Sequence, residues 1–150
     1  MTPVGLGRVI LDASAAVALL ADAGVAGTWV AETVRGASLL APELMPFEVG
    51  NILRRQALAG ALDASAAKLA HADLLDLPVD LYPYVALGDR VWELRGNLTA
   101  YDASYVALAE LVEAPIVTLD TRLAQSPGPR CAILSYQRDR GSTHASRWGT

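Results

Sequence analysis

Residues 8–21, RVILDASAAVALLA, contain the two elements from which the fold can be inferred. The apolar run Val9-Ile10-Leu11 predicts a short strand, and the alanine-rich segment after Asp12 predicts a helix over residues 14–21. The strand residues are continuously apolar rather than alternating with polar ones, which indicates burial on both faces. A buried strand followed at once by a helix is typical of a parallel sheet with helical crossovers.

The remaining sequence repeats this alternation of strand-length apolar runs and longer helical segments. Further strands are predicted at 37–41, 79–82, 115–119 and 131–136, and further helices at 25–34, 47–59, 64–75, 84–94 and 101–111. This order predicts an α/β fold of three layers, in which helices flank a central parallel sheet of about five strands. We expect one domain over residues 1–136 and a polar C-terminal tail over residues 137–150.

Composition places the chain among globular proteins, with 150 residues of which 53% are hydrophobic and 19% charged. The single cysteine, Cys131, excludes an internal disulfide and a multi-cysteine metal site, and it fits the reducing cytoplasm. The apolar stretch before Ala21 resembles a secretory signal, but Asp12 places a charge inside it. Because no apolar run has the length of a membrane span, we expect a soluble cytoplasmic protein without a membrane partner.

Two acidic residues directly follow predicted strands. Asp12 follows Val9-Ile10-Leu11, and Asp120 follows Ile116-Val117-Thr118-Leu119. Ligands of open parallel sheets bind beyond the carboxyl ends of the strands, so these two side chains stand where a site is expected. Glu48 and Asp102 stand near the starts of two predicted helices, which can point toward the same end of the sheet.

Each of these acids also has a purely local explanation. Asp12 and Asp120 could cap the helix or turn that follows, and Thr99 and Asp102 have the spacing of a capping box. Glu48 could be an ordinary solvated helix residue. Taken singly, the local explanations are favoured, whereas the positions of all four acids at one expected cleft favour a site.

Four stretches match, in order, the motif blocks of a known family: ILDASA at 10–15, PFEVGNIL at 46–53, YDASYVALA at 101–109 and VTLD at 117–120. Together they resemble the PIN domain, and more narrowly the VapC toxins of bacterial toxin–antitoxin pairs. The resemblance runs from about Arg8 to Tyr136, nearly the whole predicted domain. It implies a PIN-like fold with a central parallel sheet and one catalytic site in each chain.

The resemblance also implies which residues form that site. The implied catalytic residues, which bind Mg²⁺ or Mn²⁺ directly or through water, are Asp12, Glu48, Asp102 and Asp120. Ser14 and Thr118 match small hydroxyl positions that support the site in this family. The implied activity is metal-dependent endoribonuclease hydrolysis of RNA, with transfer RNA a common target among such toxins. A cognate VapB-like antitoxin as inhibitor and a homodimer as the assembly follow from the same resemblance.

Other residues are candidates by their spacing. Asn51 lies one turn after Glu48 on the same helix face and could support the site. Arg54, Arg55 and Arg122 could reach RNA phosphates, with an ordinary solvated or salt-bridged face as the equal alternative. Tyr101 could stack on a base, although local packing is the favoured expectation. The rings expected in the core or at an interface are Trp29, Trp92 and Tyr105.

Net charge and residue content help to distinguish between classes of activity. The net charge of −4 argues at first against nucleic acid, but setting aside the four candidate ligands leaves 12 acids against 12 bases. Oxygen ligands suit hard divalent cations, which is the chemistry of phosphodiester hydrolysis. His71 and His144 are not in a nucleophile setting, and no glycine-rich phosphate loop follows the first strand. The alternative left open is a catalytically inactive PIN-like interaction module whose acidic pocket binds a basic segment of a partner.

Overall fold

A parallel five-stranded sheet forms the centre of the computed structural model, which describes residues 5–136. Its strands are β1 (Arg8–Leu11), β2 (Ser38–Pro42), β3 (Val79–Tyr82), β4 (Ile116–Thr118) and β5 (Ile133–Ser135). The strand order is β3-β2-β1-β4-β5, and every neighbouring pair is parallel. The predicted α/β class is confirmed. The predicted tail, 137–150, lies outside the described residues, as does His144.

Within the described residues, seven helices flank the sheet and complete the three-layer architecture. They are α1 (Ala13–Ala21), α2 (Val25–Thr33), α3 (Met45–Leu58), α4 (Ala64–Asp76), α5 (Gly88–Glu93), α6 (Ala100–Val112) and α7 (Thr121–Gln125). The single helix expected at 84–94 is instead a 3₁₀ turn, Tyr84–Ala86, followed by α5. Helix α3 begins two residues before its predicted start, because a proline in the first turn of a helix needs no hydrogen-bonded N–H.

Strand β1 lies in the middle of the sheet, where its residues Val9, Ile10 and Leu11 are fully buried. Ile10 pairs with Leu40 of β2 on one side and with Ile116 of β4 on the other. The strand order changes direction between β1 and β4, so a crevice is expected outside their carboxyl ends.

No single helix within residues 5–136 has the length and apolar composition of a membrane span. Helices α1 and α2 reach that length and composition only when they are counted together across a 110° bend.

Candidate active site

Asp12 lies at the carboxyl end of β1 and is almost completely buried, with 7% of its surface exposed. Its Oδ1 accepts hydrogen bonds from the backbone N–H of Ala15 at 2.9 Å and from the Ser14 hydroxyl at 2.7 Å. Its Oδ2 accepts a hydrogen bond from the Thr118 hydroxyl. Asp12 therefore caps α1, as its local explanation expects, and it also faces the end of β4.

The hydroxyls of Ser14 and Thr118 join the ends of β1 and β4. Each hydroxyl donates its proton to Asp12 and accepts a backbone N–H, from Leu119 at 3.0 Å for Ser14 and from Asp120 at 2.8 Å for Thr118. Because both hydroxyl protons are donated to Asp12 and both hydroxyl oxygens accept a backbone N–H from the end of β4, the network sets the position of Asp12 relative to Asp120. The structure thus brings both residues into contact with Asp12, and their supporting role stays a prediction.

Asp120 caps the short helix α7 and pairs with Arg122. Its Oδ1 accepts the Arg122 N–H at 2.9 Å and the guanidinium Nε at 3.2 Å, while Oδ2 accepts Nη2 at 3.3 Å. Burial pushes the pKa of Asp120 upward, but the hydrogen bonds and charge of Arg122 outweigh it and hold that pKa below its usual value. The Arg122 side chain is 88% exposed, so it is free to exchange this partner for another anion.

Glu48, in the first turn of α3, is held by a residue that sequence reasoning placed only in the core or at an interface. Tyr105 of α6 is 3% exposed and donates its hydroxyl to Glu48 Oε1 at 2.6 Å. Burial raises the pKa of Glu48, against the effect of the Tyr105 hydrogen bond, and the charges of Asp102 and Asp12 raise it further. One sequence signal could have found Tyr105: it lies three residues after Asp102, on the same helix face.

Asp102 lies in the first turn of α6, where Thr99 Oγ1 accepts its backbone N–H at 3.1 Å. This is the hydrogen bond that the threonine of the predicted capping box makes. Burial raises the pKa of Asp102, and the negative charge of Asp120 adds to the increase. Arg122 acts in the opposite direction, which places its guanidinium within electrostatic reach of both carboxylates.

The four predicted acids form one electrostatically coupled cluster. The charge of Asp120 raises the pKa of Asp12 and of Asp102, and the charges of Asp102 and Asp12 raise that of Glu48. For Asp12 itself, burial is the largest cause of the increase. Within residues 5–136, however, no three potential ligand side chains are already arranged around one point.

The donor set fits a hard divalent cation. It contains only carboxylate oxygens, which Mg²⁺ and Mn²⁺ prefer. Three of its members, Asp12, Glu48 and Asp102, have raised pKa values, with burial as the largest cause, and a bound cation would offset the cost of ionising them. The lack of a preformed ligand arrangement has a simple cause: Asp12, Glu48 and Asp120 are each turned toward protein donors.

A cavity of about 400 Å³ opens beside Glu48 and receives several of the other predicted residues. Asn51 and Arg55 line it together with Phe47 and Tyr101, whereas Arg54 is exposed on α3 and is not among its lining residues. Phe47, at the mouth of this cavity, is 82% exposed. Helix periodicity alone does not distinguish a ring that is buried in the core from one at the mouth of a cleft.

Comparison with known proteins connects this geometry to a family. Residues 9–128 match the profile of the PIN domain. The chain is 41% identical over 130 residues to ribonuclease VapC9 of Mycobacterium tuberculosis, covering 87% of this chain and 99% of that protein.

Solved structures show the same fold. PAE2754 from Pyrobaculum aerophilum superposes with a TM-score of 0.59 at 30% identity, covering 85% of this chain and 83% of that one. VapBC2 from Rickettsia felis, crystallised with a DNA fragment from its promoter, gives a TM-score of 0.60 at 10% identity. The superposed VapBC2 chain covers 87% of this chain and 99% of its own length, and at that identity the likeness concerns the fold alone.

Proposed function

The chain belongs to the PIN domain family and, within it, to the VapC ribonucleases, and from this premise we propose that it is the toxin of a type II toxin–antitoxin system that hydrolyses RNA at its carboxylate cluster. One observation carries the proposal for this chain. The network of Asp12, Ser14 and Thr118 joins the carboxyl ends of β1 and β4 at the point where the strand order changes direction. Sites of open parallel sheets form at such a point.

The proposed cofactor is Mg²⁺ or Mn²⁺, and the residues that would hold it are Asp12, Glu48, Asp102 and Asp120. Their oxygen-only chemistry and the raised pKa values of three of them support this assignment. When bound, such a cation supplies charge neutralisation and Lewis acidity for the attack of water on a phosphodiester.

Glu48 is better suited than Asp120 to accept the proton of the attacking water. Tyr105 occupies Oε1 of Glu48 and leaves Oε2 for this role, and the raised pKa makes the carboxylate a stronger base. Both oxygens of Asp120 are engaged by Arg122, and its pKa is lowered. Hydrolysis by water leaves a 5′-phosphate and a 3′-hydroxyl and requires no attack by the 2′-hydroxyl.

Exposed arginines are the proposed contacts for the RNA backbone. Arg55 lines the cavity beside Glu48, and Arg122 reaches the cluster from α7. Arg54, next to Arg55 on α3, would contact a phosphate further along the strand. Each contact of this kind makes binding weaken as the salt concentration rises.

A VapB-like antitoxin and a homodimer are the proposed partners, and the reducing cytoplasm is the proposed compartment. A second groove of about 400 Å³ runs between α1 and α3, where Val17, Ala21 and Ile52 line it. An apolar antitoxin segment would suit this groove. Helix α1 packs against both α2 and α3 and forms one wall of this groove.

The Asp120–Arg122 ion pair favours a second candidate function, because it shows that the cluster accepts a guanidinium. In that reading the chain is an inactive PIN-like module, and its acidic pocket binds a basic segment of a partner. The first candidate predicts catalysis, and the second predicts none.

A cleavage assay decides between the two candidates. The purified chain is incubated with structured RNA in Mn²⁺ or in EDTA, and the same reactions are run with Asp12→Asn. Asp73→Asn, which neutralises an exposed carboxylate on α4, is the matched control. We expect cleavage only by the wild type and the control in Mn²⁺. Identical gels in every lane would remove the nuclease proposal and leave the binding module.

A further inference from the structure

Two exposed aromatic rings flank the carboxylate cluster, and each directly precedes one of its acids. Phe47 precedes Glu48 and is 82% exposed, and Tyr101 precedes Asp102 and is 64% exposed. Both rings line the cavity that Glu48 also lines, so they stand beside one site rather than two. Neither ring has a role in the proposed chemistry of the cluster.

Phe47 and Tyr101 also belong to two adjoining cavities. The first, beside Glu48 and Arg55, has a volume of about 400 Å³. The second has a volume of about 310 Å³ and is lined mainly by apolar and aromatic side chains, among them Tyr84. Phe47 and Tyr101 line both cavities, so they form the boundary between a charged compartment and an apolar one.

The faces of these rings are available for stacking. Among the described residues, the one aromatic pair is Trp29 with Tyr136, and the one cation–π contact places Arg95 4.7 Å from the centre of the Trp92 ring. Trp92 is as exposed as Tyr101 but is already covered on one face. An exposed apolar cluster beside a polar site is typical of a binding surface.

We propose that Phe47 and Tyr101 hold an unpaired nucleobase of the RNA, next to the phosphodiester that lies over the carboxylates. This inference rests on the proposed ribonuclease function and adds to it a base-stacking subsite formed by these two side chains. The occupant follows from the continuity of the two cavities. A strand whose phosphate contacts Arg55 places its neighbouring base at the rings, and a nucleobase has the flat apolar face that stacking on an aromatic side chain requires.

The mainly apolar lining of the second compartment suits the flat face of a stacked nucleobase. Bases of all four kinds have a π-face, so this subsite selects for an unpaired base rather than for its identity. A duplex would keep its bases stacked on one another and would gain little from the rings. We therefore expect loops, bulges and ends to bind better than helical RNA.

The test measures binding separately from cleavage. The probe is a short single-stranded oligouridine with one 2-aminopurine, whose fluorescence falls when the base stacks. All variants are made in the Asp12→Asn background, so that the probe remains intact in Mn²⁺. The variants are Phe47→Ala and Tyr101→Ala, with Phe47→Tyr and Tyr101→Phe as conservative substitutions and Trp92→Ala as the matched control.

We expect Phe47→Ala and Tyr101→Ala each to weaken binding about tenfold, equivalent to about 1.4 kcal/mol, and to abolish most of the quenching. Phe47→Tyr, Tyr101→Phe and Trp92→Ala should bind and quench as the parent does. Because both substituted rings are largely exposed, the alanine variants should remain folded. In an otherwise wild-type chain, they should raise KM more than they lower kcat.

Equal affinity and equal quenching in all variants would overturn the subsite. So would a fall from dimer to monomer mass in Phe47→Ala or Tyr101→Ala with quenching unchanged, because the rings would then be a contact between two copies of the chain. Failure of the proposed function looks different. In that case the wild type cleaves no RNA in Mn²⁺, while the probe still reports on the rings.

Discussion

Thr118→Val tests whether the network between β1 and β4 holds the site together. Valine has nearly the shape of threonine, and position 118 is fully buried, so the substitution removes one hydroxyl with little change in packing. Two partners are lost: Asp12 Oδ2 loses its donor, and the Asp120 N–H loses its acceptor at 2.8 Å.

The expected loss follows from these two contacts. A hydrogen bond to a charged group contributes about 1.5–3 kcal/mol, and an unsatisfied buried donor costs about 1–3 kcal/mol. The contacts share one hydroxyl and are not independent, so we expect the free energy of unfolding to fall by about 3 kcal/mol rather than by their sum. For a domain of this size, that loss lowers Tm by roughly 6–12 °C.

The loss should depend on pH. The Thr118 hydrogen bond stabilises the ionised form of Asp12, whose pKa burial has raised above 3.8. Because the variant lacks this bond, its Asp12 has a still higher pKa. The difference between wild type and variant is therefore fully present above the variant's pKa, and it shrinks as the pH falls and the carboxyl becomes protonated. Urea unfolding at pH 8 and at acidic pH measures both the size and the sign.

Thr33→Val is the matched control. The Thr33 hydroxyl donates a hydrogen bond to the carbonyl oxygen of Trp29, one turn earlier in α2, and this partner is not ionisable. We expect a change of about 0.5 kcal/mol or less at that position. If Thr118→Val were no more destabilising than Thr33→Val at pH 8, the network would not be what positions Asp12, and the reasoning would be refuted.

Three further predictions concern the site and the rest of the fold. Tyr105→Phe removes the donor to Glu48 Oε1, and we expect kcat to fall about tenfold to a hundredfold because the carboxylate loses its orientation; an unchanged kcat would remove the positioning role. Asp102→Asn should raise Tm of the metal-free protein above pH 4, because burial raises the pKa of Asp102 and its ionised form opposes folding. This gain in Tm should disappear toward pH 3.8. Wild-type melting curves that are the same in EDTA and in excess Mn²⁺ would count against the cation site. Arg90→Met should lower the free energy of unfolding by about 1 kcal/mol at pH 7, because Arg90 binds both oxygens of Glu110; since that pairing lowers the pKa of Glu110 below 4.5, urea unfolding should show the difference shrinking as the pH falls below about 4, and a constant difference would contradict the pairing.

Local sequence signals predicted most of the fold. The strands and most of the helices are where the apolar runs and helical periods place them. The exceptions are the helix at 84–94, which divides at Leu87, and the short α7, which was not among the predicted helices. Helix caps were predicted too: Asp12, Thr99 and Asp120 each accept a backbone N–H at the start of a helix. These signals act over a few residues, through backbone dihedral angles and hydrogen bonds, so the sequence contains them directly.

The candidate site divides along the same line. The four acids and the hydroxyls of Ser14 and Thr118 are candidates that motif blocks and strand ends identify from the sequence, and their roles stay predictions. The Tyr105–Glu48 hydrogen bond and the exposure of Phe47 were not, since both depend on how α3 and α6 are placed against the sheet.

The sequence by itself determined the class of fold, the positions of the acids along the chain and the caps that begin the helices. Only the tertiary structure decided the strand order, and with it which acids meet. The physical reason is the range of the contacts. Thr118 reaches Asp12 across 106 residues and Tyr105 reaches Glu48 across 57, and such distances along the chain close only when the whole sheet has formed.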